Sequence, residues 1–165
     1  MITSSTVRRI PVLTALFARP VTEAAPGRSR RQQRPPFPRS AQLRHVDAGS
    51  CNGCEVEITQ AFAPVCDAGR FGARLVASPR HADGLLVTGV VTRNMATPLQ
   101  KTLDAVPRPR VVVACGDCAV DGGVFAGAYG VTGRVGDVVL VDVEIPGCPP
   151  DPSTITEALR GLTGR

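Results

Sequence analysis

Residues 84–114 read GLLVTGVVTRNMATPLQKTLDAVPRPRVVVA, and this stretch predicts the fold. The apolar runs over 84–91 and 110–114 have the length of strands, and neither alternates with polar residues as a strand with one face in water would. Between them, apolar residues recur at helical spacing over 95–105. Two buried strands joined by a helix indicate parallel neighbours in a sheet that is covered on both faces.

The rest of the chain after residue 43 continues this alternation of strands and helices. The further predicted elements are strands over 73–77 and 138–143, a helix over 55–62, and a final helix that is capped by Ser153 and runs through Leu162. We therefore predict an α/β domain over 44–165, doubly wound around a mostly parallel, flavodoxin-like sheet. A chain of 165 residues is long enough to bury one such core without covalent cross-links.

The first 43 residues differ from the domain in charge and composition. Residues 1–44 carry nine arginines and one glutamate, whereas residues 45–165 carry ten basic and thirteen acidic residues. The segment 26–38 is mostly Arg, Pro, Gln and Ser, a composition that cannot bury enough apolar surface to fold alone. We predict a basic arm and linker over 1–43. We expect no nucleic acid partner, because the domain has no basic stripe and few aromatic residues.

The segment 6–19 of the arm has two interpretations. Its apolar residues recur at helical spacing between arginines, which is typical of a basic amphipathic helix on a membrane or in the groove of a partner. Because prolines disrupt helices, the segment is equally well interpreted as an unstructured tail. The apolar run over 10–18 is shorter than the roughly 18 residues that a membrane span needs. It is also too brief for the export signal that Arg8 and Arg9 superficially suggest. We expect a protein of the reducing cytosol.

Six cysteines in a chain of this length indicate metal or redox chemistry rather than a disulfide framework. Four of them lie in segments rich in Gly and Pro: Cys51 and Cys54 in SCNGC (50–54), Cys118 in GDCA (116–119) and Cys148 in PGCPP (146–150). Four thiolates form a complete ligand set for an iron–sulfur cluster. Gly and Pro suit the irregular backbone that wraps a cluster and offers N–H groups to its sulfurs.

The predicted strands carry these cysteines to one edge of the sheet. Cys118 follows the strand 110–114 and Cys148 follows the strand 138–143, so both lie beyond carboxyl ends of strands, where open α/β sheets bind ligands. Cys51 and Cys54 precede the first helix, whose N-terminal N–H groups favour negative charge. One site can therefore collect all four thiolates.

A second grouping remains open. Cys115 and Cys118 form a Cys-x-x-Cys pair that could combine with Cys51 and Cys54 into a zinc site, and the protein would then be a zinc-stabilised interaction module without redox activity. About sixty residues separate the two pairs, against the usual 15 to 20, and zinc would leave Cys148 without a role; spacing thus favours the cluster. Cys66 lies in no motif and is expected to be a small buried residue.

In combination these motifs resemble the 20 kDa (PSST-type) subunit family of respiratory complex I and the small subunits of membrane-bound nickel–iron hydrogenases such as hydrogenase-4 and formate hydrogenlyase. The resemblance runs over 45–161, and it also rests on SPRHAD (78–83), TGVVT (88–92) with Met95, Gly122-Gly123 after GDCA, and IPGCPP (145–150). It implies that one [4Fe–4S] cluster is held by Cys51, Cys54, Cys118 and Cys148, with Cys115 supernumerary. Complex I subunits usually have adjacent first ligands, so the separated Cys51 and Cys54 are more similar to the hydrogenase branch.

The resemblance implies an electron-transfer subunit of an oxidoreductase complex that makes and breaks no bonds itself. Its expected partners are a large catalytic subunit, like that of a hydrogenase or the 49 kDa subunit of complex I, a ferredoxin-like iron–sulfur subunit, and a membrane subunit contacted by residues 6–19. The expected location is the cytoplasmic face of the inner (plasma) membrane.

Hydrogen and quinone both remain open as the substrate of that complex. In the quinone case, Met95 and the loop 88–92 are the candidates to line the headgroup cavity. Glu57 matches an acidic position near the cluster of the family, which indicates either a proton-handling group or a helix carboxylate that faces solvent. Arg80 and His81 are expected at a subunit interface, and Asp83 is expected to satisfy backbone groups.

Overall fold

The computed structural model describes residues 36–165. The segment 6–19 lies outside the described residues, and the division into an arm over 1–43 and a domain over 44–165 stays a prediction. Within the described part, Phe37 packs against the apolar core, and its amide donates to the carbonyl oxygen of Leu162 at 3.1 Å. The chain is thus attached to the core before the first strand begins.

A parallel five-stranded sheet forms the centre of the domain. Its strands, in spatial order, are β2 (Ala73–Leu75), β1 (Ala41–Asp47), β3 (Gly84–Thr88), β5 (Val111–Cys115) and β7 (Val143–Ile145). Counting only these five along the chain, the order is 2-1-3-4-5, which is the flavodoxin-like order. Two further strands, β4 (Val91–Thr92) and β6 (Val131–Gly133), pair antiparallel beside the main sheet. The predicted α/β fold is confirmed.

Helices cover both faces of this sheet. They are α1 (Gly53–Ala61), α2 (Arg93–Ala105), the short α3 (Asp117–Val120) and α4 (Pro152–Thr163). Leu86 of β3 packs on the side of α1 and α4, whereas its neighbours Leu85 and Val87 pack on the side of α2. All five residues of β3 are buried, which explains their continuous apolar run.

The structure corrects three sequence-based assignments. The sequence did not predict β1. The predicted strand over 138–143 is wrong, because Val138 and Val139 pack as a loop against the core beside α2 and the strand begins only at Val143. The predicted helix cap at Ser153 is also wrong: the Asp151 carboxylate accepts from the Ser153 amide at 2.8 Å, and Pro152 occupies the first helical position, which suits proline.

Two further observations complete the domain. The carboxylate of Asp83 accepts the Gln42 amide at 2.8 Å, so Asp83 satisfies the backbone as expected. Across residues 36–165, none of the helices has both the length and the apolar character needed to cross a membrane.

Candidate metal centre

The four cysteines of the predicted ligand set lie at the carboxyl edge of the sheet. Cys51 stands in the loop after β1, and Cys54 lies in the first turn of α1. Cys118 lies in α3, directly beyond β5, and Cys148 lies in the loop after β7. Because β1 was missing from the predicted elements, the sequence did not reveal that Cys51 and Cys54 also follow a strand.

Segments at one edge of the sheet carry these four thiols. Burial raises the pKa of the Cys118 thiol, and negative charge on Cys148, then on Cys51 and Cys54, raises it further. Cys54 and Cys118 are buried, whereas Cys51 and Cys148 are exposed, so the site opens to the surface on one side. In the described part of the chain, no three His, Cys, Asp or Glu side chains are grouped to hold a metal ion.

Asp117 joins the two loops that carry Cys118 and Cys148. Its amide donates to the carbonyl oxygen of Gly147 at 2.9 Å, and its carboxylate accepts the Gly147 amide at 2.6 Å. The amide of Gly116 adds a bond to the carbonyl oxygen of Ile145 at 2.8 Å. The sequence indicated Asp117 only as part of the GDCA motif; its position between a glycine and a candidate ligand cysteine was the available signal.

Two glycines let the backbone approach the sulfurs. Gly116 has φ +92°, and a Cβ there would lie 2.5 Å from the Cys54 sulfur. Gly123 has φ +48°, and a Cβ there would lie 3.2 Å from the Cys118 sulfur. Both positions therefore favour glycine, for conformation and for space.

Cys115 is fully buried at the end of β5. Interaction with the Cys54 thiol, together with burial, raises the pKa of Cys115, and the same interaction lowers the pKa of Cys54. Cys66, which was expected to be buried, is only partly so and lies outside this group.

A polar cluster that the sequence analysis missed lies next to Cys54. The buried hydroxyl of Thr88 donates to Oε1 of Glu55, and Nε2 of His45 lies 3.0 Å from the Thr88 hydroxyl and 3.6 Å from Glu55 Oε1. Burial lowers the pKa of His45, and the charge of Glu55 partly opposes this. The second Glu55 oxygen, Oε2, is buried without a hydrogen-bond partner among the described residues.

The other residues named from the sequence lie elsewhere. Glu57 is partly exposed on α1, and its role stays a prediction. Arg80 and His81 are exposed in a single 3₁₀ turn, and Met95 is partly buried near the start of α2. Thr88 is fully buried against Glu55, so its side chain serves the polar cluster.

Large apolar side chains are exposed in the segment that follows Cys118. Val124 and Tyr129 have 84% and 88% of their surface accessible, and Arg93 stacks on the Tyr129 ring at 4.7 Å. Apolar residues that are this exposed close together on a surface mark contact sites for other molecules.

Solved structures share this architecture. The membrane-bound sulfane sulfur reductase, an archaeal respiratory membrane complex, contains a chain that matches with a TM-score of 0.65 and 30% identity, over 75% of this chain and 68% of that one. A chain of the NAD+-reducing [NiFe]-hydrogenase matches with a TM-score of 0.58 and 21% identity, over 77% of this chain and 95% of that one. The second likeness concerns the fold alone.

Curated relatives are more similar in sequence. Formate hydrogenlyase subunit 7 of Escherichia coli is 49% identical over 70% of this chain, and the probable membrane-bound hydrogenase subunit mbhJ of Pyrococcus furiosus is 45% identical over 71% of this chain and 70% of its own length. An NADH-quinone oxidoreductase subunit of Anaeromyxobacter is 42% identical over 66% of this chain and 63% of its own. The chain spans less than half, 45%, of the Escherichia coli subunit.

Subunits of oxidoreductase complexes therefore share this open α/β sheet and much of this sequence. The family described as NADH ubiquinone oxidoreductase, 20 Kd subunit, matches residues 51–162. The chain belongs to this family, and the resemblance inferred from its motifs is confirmed.

Proposed function

We propose that this chain is an electron-transfer subunit that binds one [4Fe–4S] cluster through Cys51, Cys54, Cys118 and Cys148. The observation that carries the proposal is the placement of these four cysteines at one edge of the sheet, where the backbone of Gly116 closely approaches the Cys54 sulfur and that of Gly123 the Cys118 sulfur. A bound cluster supplies one-electron redox chemistry, and the chain itself makes and breaks no bonds.

The residues around the thiols fit such a group. Four thiolates match the ligand demand of a cubane. Glycine at 116 and 123 leaves room for sulfur against the backbone, as a Cβ at either position would not. Asp117 fixes the spacing between the loops of Cys118 and Cys148, which is the positioning role that partners of metal ligands perform.

Anaerobic purification of the full chain tests this proposal. We expect a brown protein with broad absorption near about 400 nm and about four irons and four sulfides per chain. Serine at any of the four proposed ligand positions should abolish the cluster, whereas Cys66→Ser, the matched control, should retain it. A colourless protein with stoichiometric zinc would establish the interaction module instead. Loss of the cluster in Cys115→Ser but not in Cys118→Ser would reassign the third ligand.

We further propose that a large catalytic subunit, of the hydrogenase or complex I 49 kDa type, covers the open side of the site. Two exposed thiols and two exposed apolar side chains support this: Cys51, Cys148, Val124 and Tyr129. A partner subunit would remove their sulfur and carbon atoms from contact with water. A Tyr129→Glu variant should weaken co-purification with the large subunit while the absorption spectrum of the cluster stays unchanged.

The proposed complex is membrane-associated on the cytoplasmic face and includes a ferredoxin-like iron–sulfur subunit as electron partner. The separated Cys51 and Cys54 favour a hydrogenase-like complex over a quinone reductase, in which Met95 and the loop 88–92 would border the headgroup. The sequence of the large subunit distinguishes the two, since a nickel–iron site needs two pairs of cysteines there. Deleting residues 6–19 should release the complex from membranes with the cluster intact; unchanged association would make the segment a tail.

A further inference from the structure

The loop 49–54, which we name the ligand loop, carries Cys51 and Cys54 and has little burial of its own. None of residues 49–53 is buried, and Cys51 and Asn52 are exposed. A surface segment with few buried contacts opens easily unless its ends are held. The residues that flank this loop are Ala48, directly after β1, and Glu55 in the first turn of α1, and both are bonded to the segment 88–92.

Thr92 holds the entry to the ligand loop. Its amide and its hydroxyl both donate to the carbonyl oxygen of Ala48, at 3.0 Å and 3.1 Å. Gly49 lies tightly against the same segment, because a Cβ there would lie 2.5 Å from Cγ2 of Thr92 and 2.9 Å from the carbonyl oxygen of Val90. The chain thus enters the loop fixed to Thr92 by two hydrogen bonds and a close contact.

Thr88 holds the exit from the ligand loop. Its buried hydroxyl donates to Oε1 of Glu55, the residue directly after Cys54, and its carbonyl oxygen accepts the Ala48 amide at 3.0 Å. Nε2 of His45 lies 3.0 Å from the same hydroxyl oxygen and can donate to it, while the hydroxyl donates its own hydrogen to Glu55. Two threonines that lie four residues apart therefore bond the chain on both sides of the loop.

We propose that Thr88 and Thr92 are positioning residues that fix the two ends of the ligand loop and thereby hold Cys51 and Cys54 in place for a metal group. The proposal rests on the ligand role of these cysteines in the proposed function. It gives the two hydroxyls of the segment 88–92 the same task whether hydrogen or quinone is the substrate of the complex. Partners that orient metal ligands perform this task in other metal sites.

Hydrogen–deuterium exchange of the full chain, prepared without iron, tests the anchoring independently of any cluster. The amides of Gly49 and Ser50 both donate to the Asp47 carboxylate at 2.8 Å, so their exchange reports the opening of the loop. We expect Thr88→Val and Thr92→Val each to speed exchange over 49–54 by roughly threefold or more, the effect of one lost hydrogen bond. Thr88→Ser and Thr92→Ser, which keep the hydroxyl, should exchange at the parent rate.

Thr163→Val is the matched control. Thr163 is also buried, and its hydroxyl donates to a distant carbonyl oxygen, that of Phe71 at 2.7 Å, at the other edge of the sheet. Its loss should lower the free energy of unfolding without changing exchange over 49–54. Equal acceleration in Thr163→Val and the two anchor variants would overturn the proposal, because the change would then reflect the stability of the whole domain.

The same variants, loaded with the cluster, test whether the anchors position the ligands. Under an iron chelator, we expect the visible absorption of Thr88→Val and Thr92→Val to decay by roughly threefold or more faster than that of the parent, with rescue by serine and parent-like decay in Thr163→Val. Glu55→Ala, which removes the acceptor of the Thr88 hydroxyl, should match Thr88→Val. The double variant should decay no faster than either, since both changes remove one bond.

The outcomes separate this proposal from the proposed function. A parent chain that binds no cluster defeats the proposed function, and the exchange rates still decide whether the threonines anchor the loop. Parent-like exchange in both valine variants overturns the anchoring, and so does faster exchange with parent-like decay of the cluster. If Thr88→Val fails to fold, Thr92→Val and Glu55→Ala decide, because neither Thr92 nor Glu55 is fully buried; parent-like exchange in both overturns the proposal.

Discussion

Replacing Asp117 by alanine should loosen the cluster site more than the domain. The lost bond, from the Gly147 amide to a carboxylate at 2.6 Å, is one of the charge-assisted kind, worth about 1.5–3 kcal/mol. If the bond forms only when the loops of Cys118 and Cys148 are in place, its loss weakens cluster retention by roughly 10- to 150-fold, since each 1.4 kcal/mol is a factor of ten. Loss of a partner that positions metal ligands typically costs about 10–100-fold, which agrees.

The assay is the rate at which the cluster's visible absorption decays under an iron chelator, with the free energy of unfolding measured by urea in parallel. Asp142→Ala is the matched control, because Asp142 also accepts a strand-neighbour amide, that of Val112 at 2.8 Å, but at the amino end of β5. Asp117→Asn keeps an acceptor without the charge, so it should fall between parent and Asp117→Ala. Equal decay rates in Asp117→Ala and Asp142→Ala would refute the role of Asp117 in positioning Cys118 and Cys148.

Three further variants test the conformation, the core and the pH response. Gly116→Ala should abolish the absorption of the cluster, since its Cβ would lie 2.5 Å from the Cys54 sulfur at φ +92°; the control Gly161→Ala, in an open helical position, should be stable and brown. Leu86→Ala should lower the free energy of unfolding by about 2–5 kcal/mol in urea titrations, because Leu86 is fully buried between strands and helices. The pKa of His45 is lowered in the folded chain, so as the pH falls the unfolded chain binds the proton first, and the stability should decline below about pH 6.5. Melting temperatures of His45→Gln, measured over the same pH range, should lack this decline. Identical pH profiles of the variant and the parent would contradict the prediction.

The sequence predicted those elements whose residues are buried on every side. The segments 84–91 and 110–114 read as strands because both faces of β3 and β5 are covered, and the structure ends the first at Thr88, where Gly89 takes φ +76°. β1 was missed because its residues at 42, 44 and 45 are polar and only partly buried, so its sequence AQLRHVD lacks an apolar run. The valines at 138–139 misled for the opposite reason, since a loop can bury them as well as a strand can.

At the site, residue type was easier to predict than role. Cysteines next to Gly and Pro identified the four candidate ligands, because that pattern depends only on neighbours in the chain. Glu57 was chosen and Glu55 overlooked, because what distinguishes Glu55 is Thr88, a residue 33 positions away that donates to it across the sheet. The influence of Cys54 on the pKa of Cys115 is equally non-local, because the two residues lie on α1 and β5.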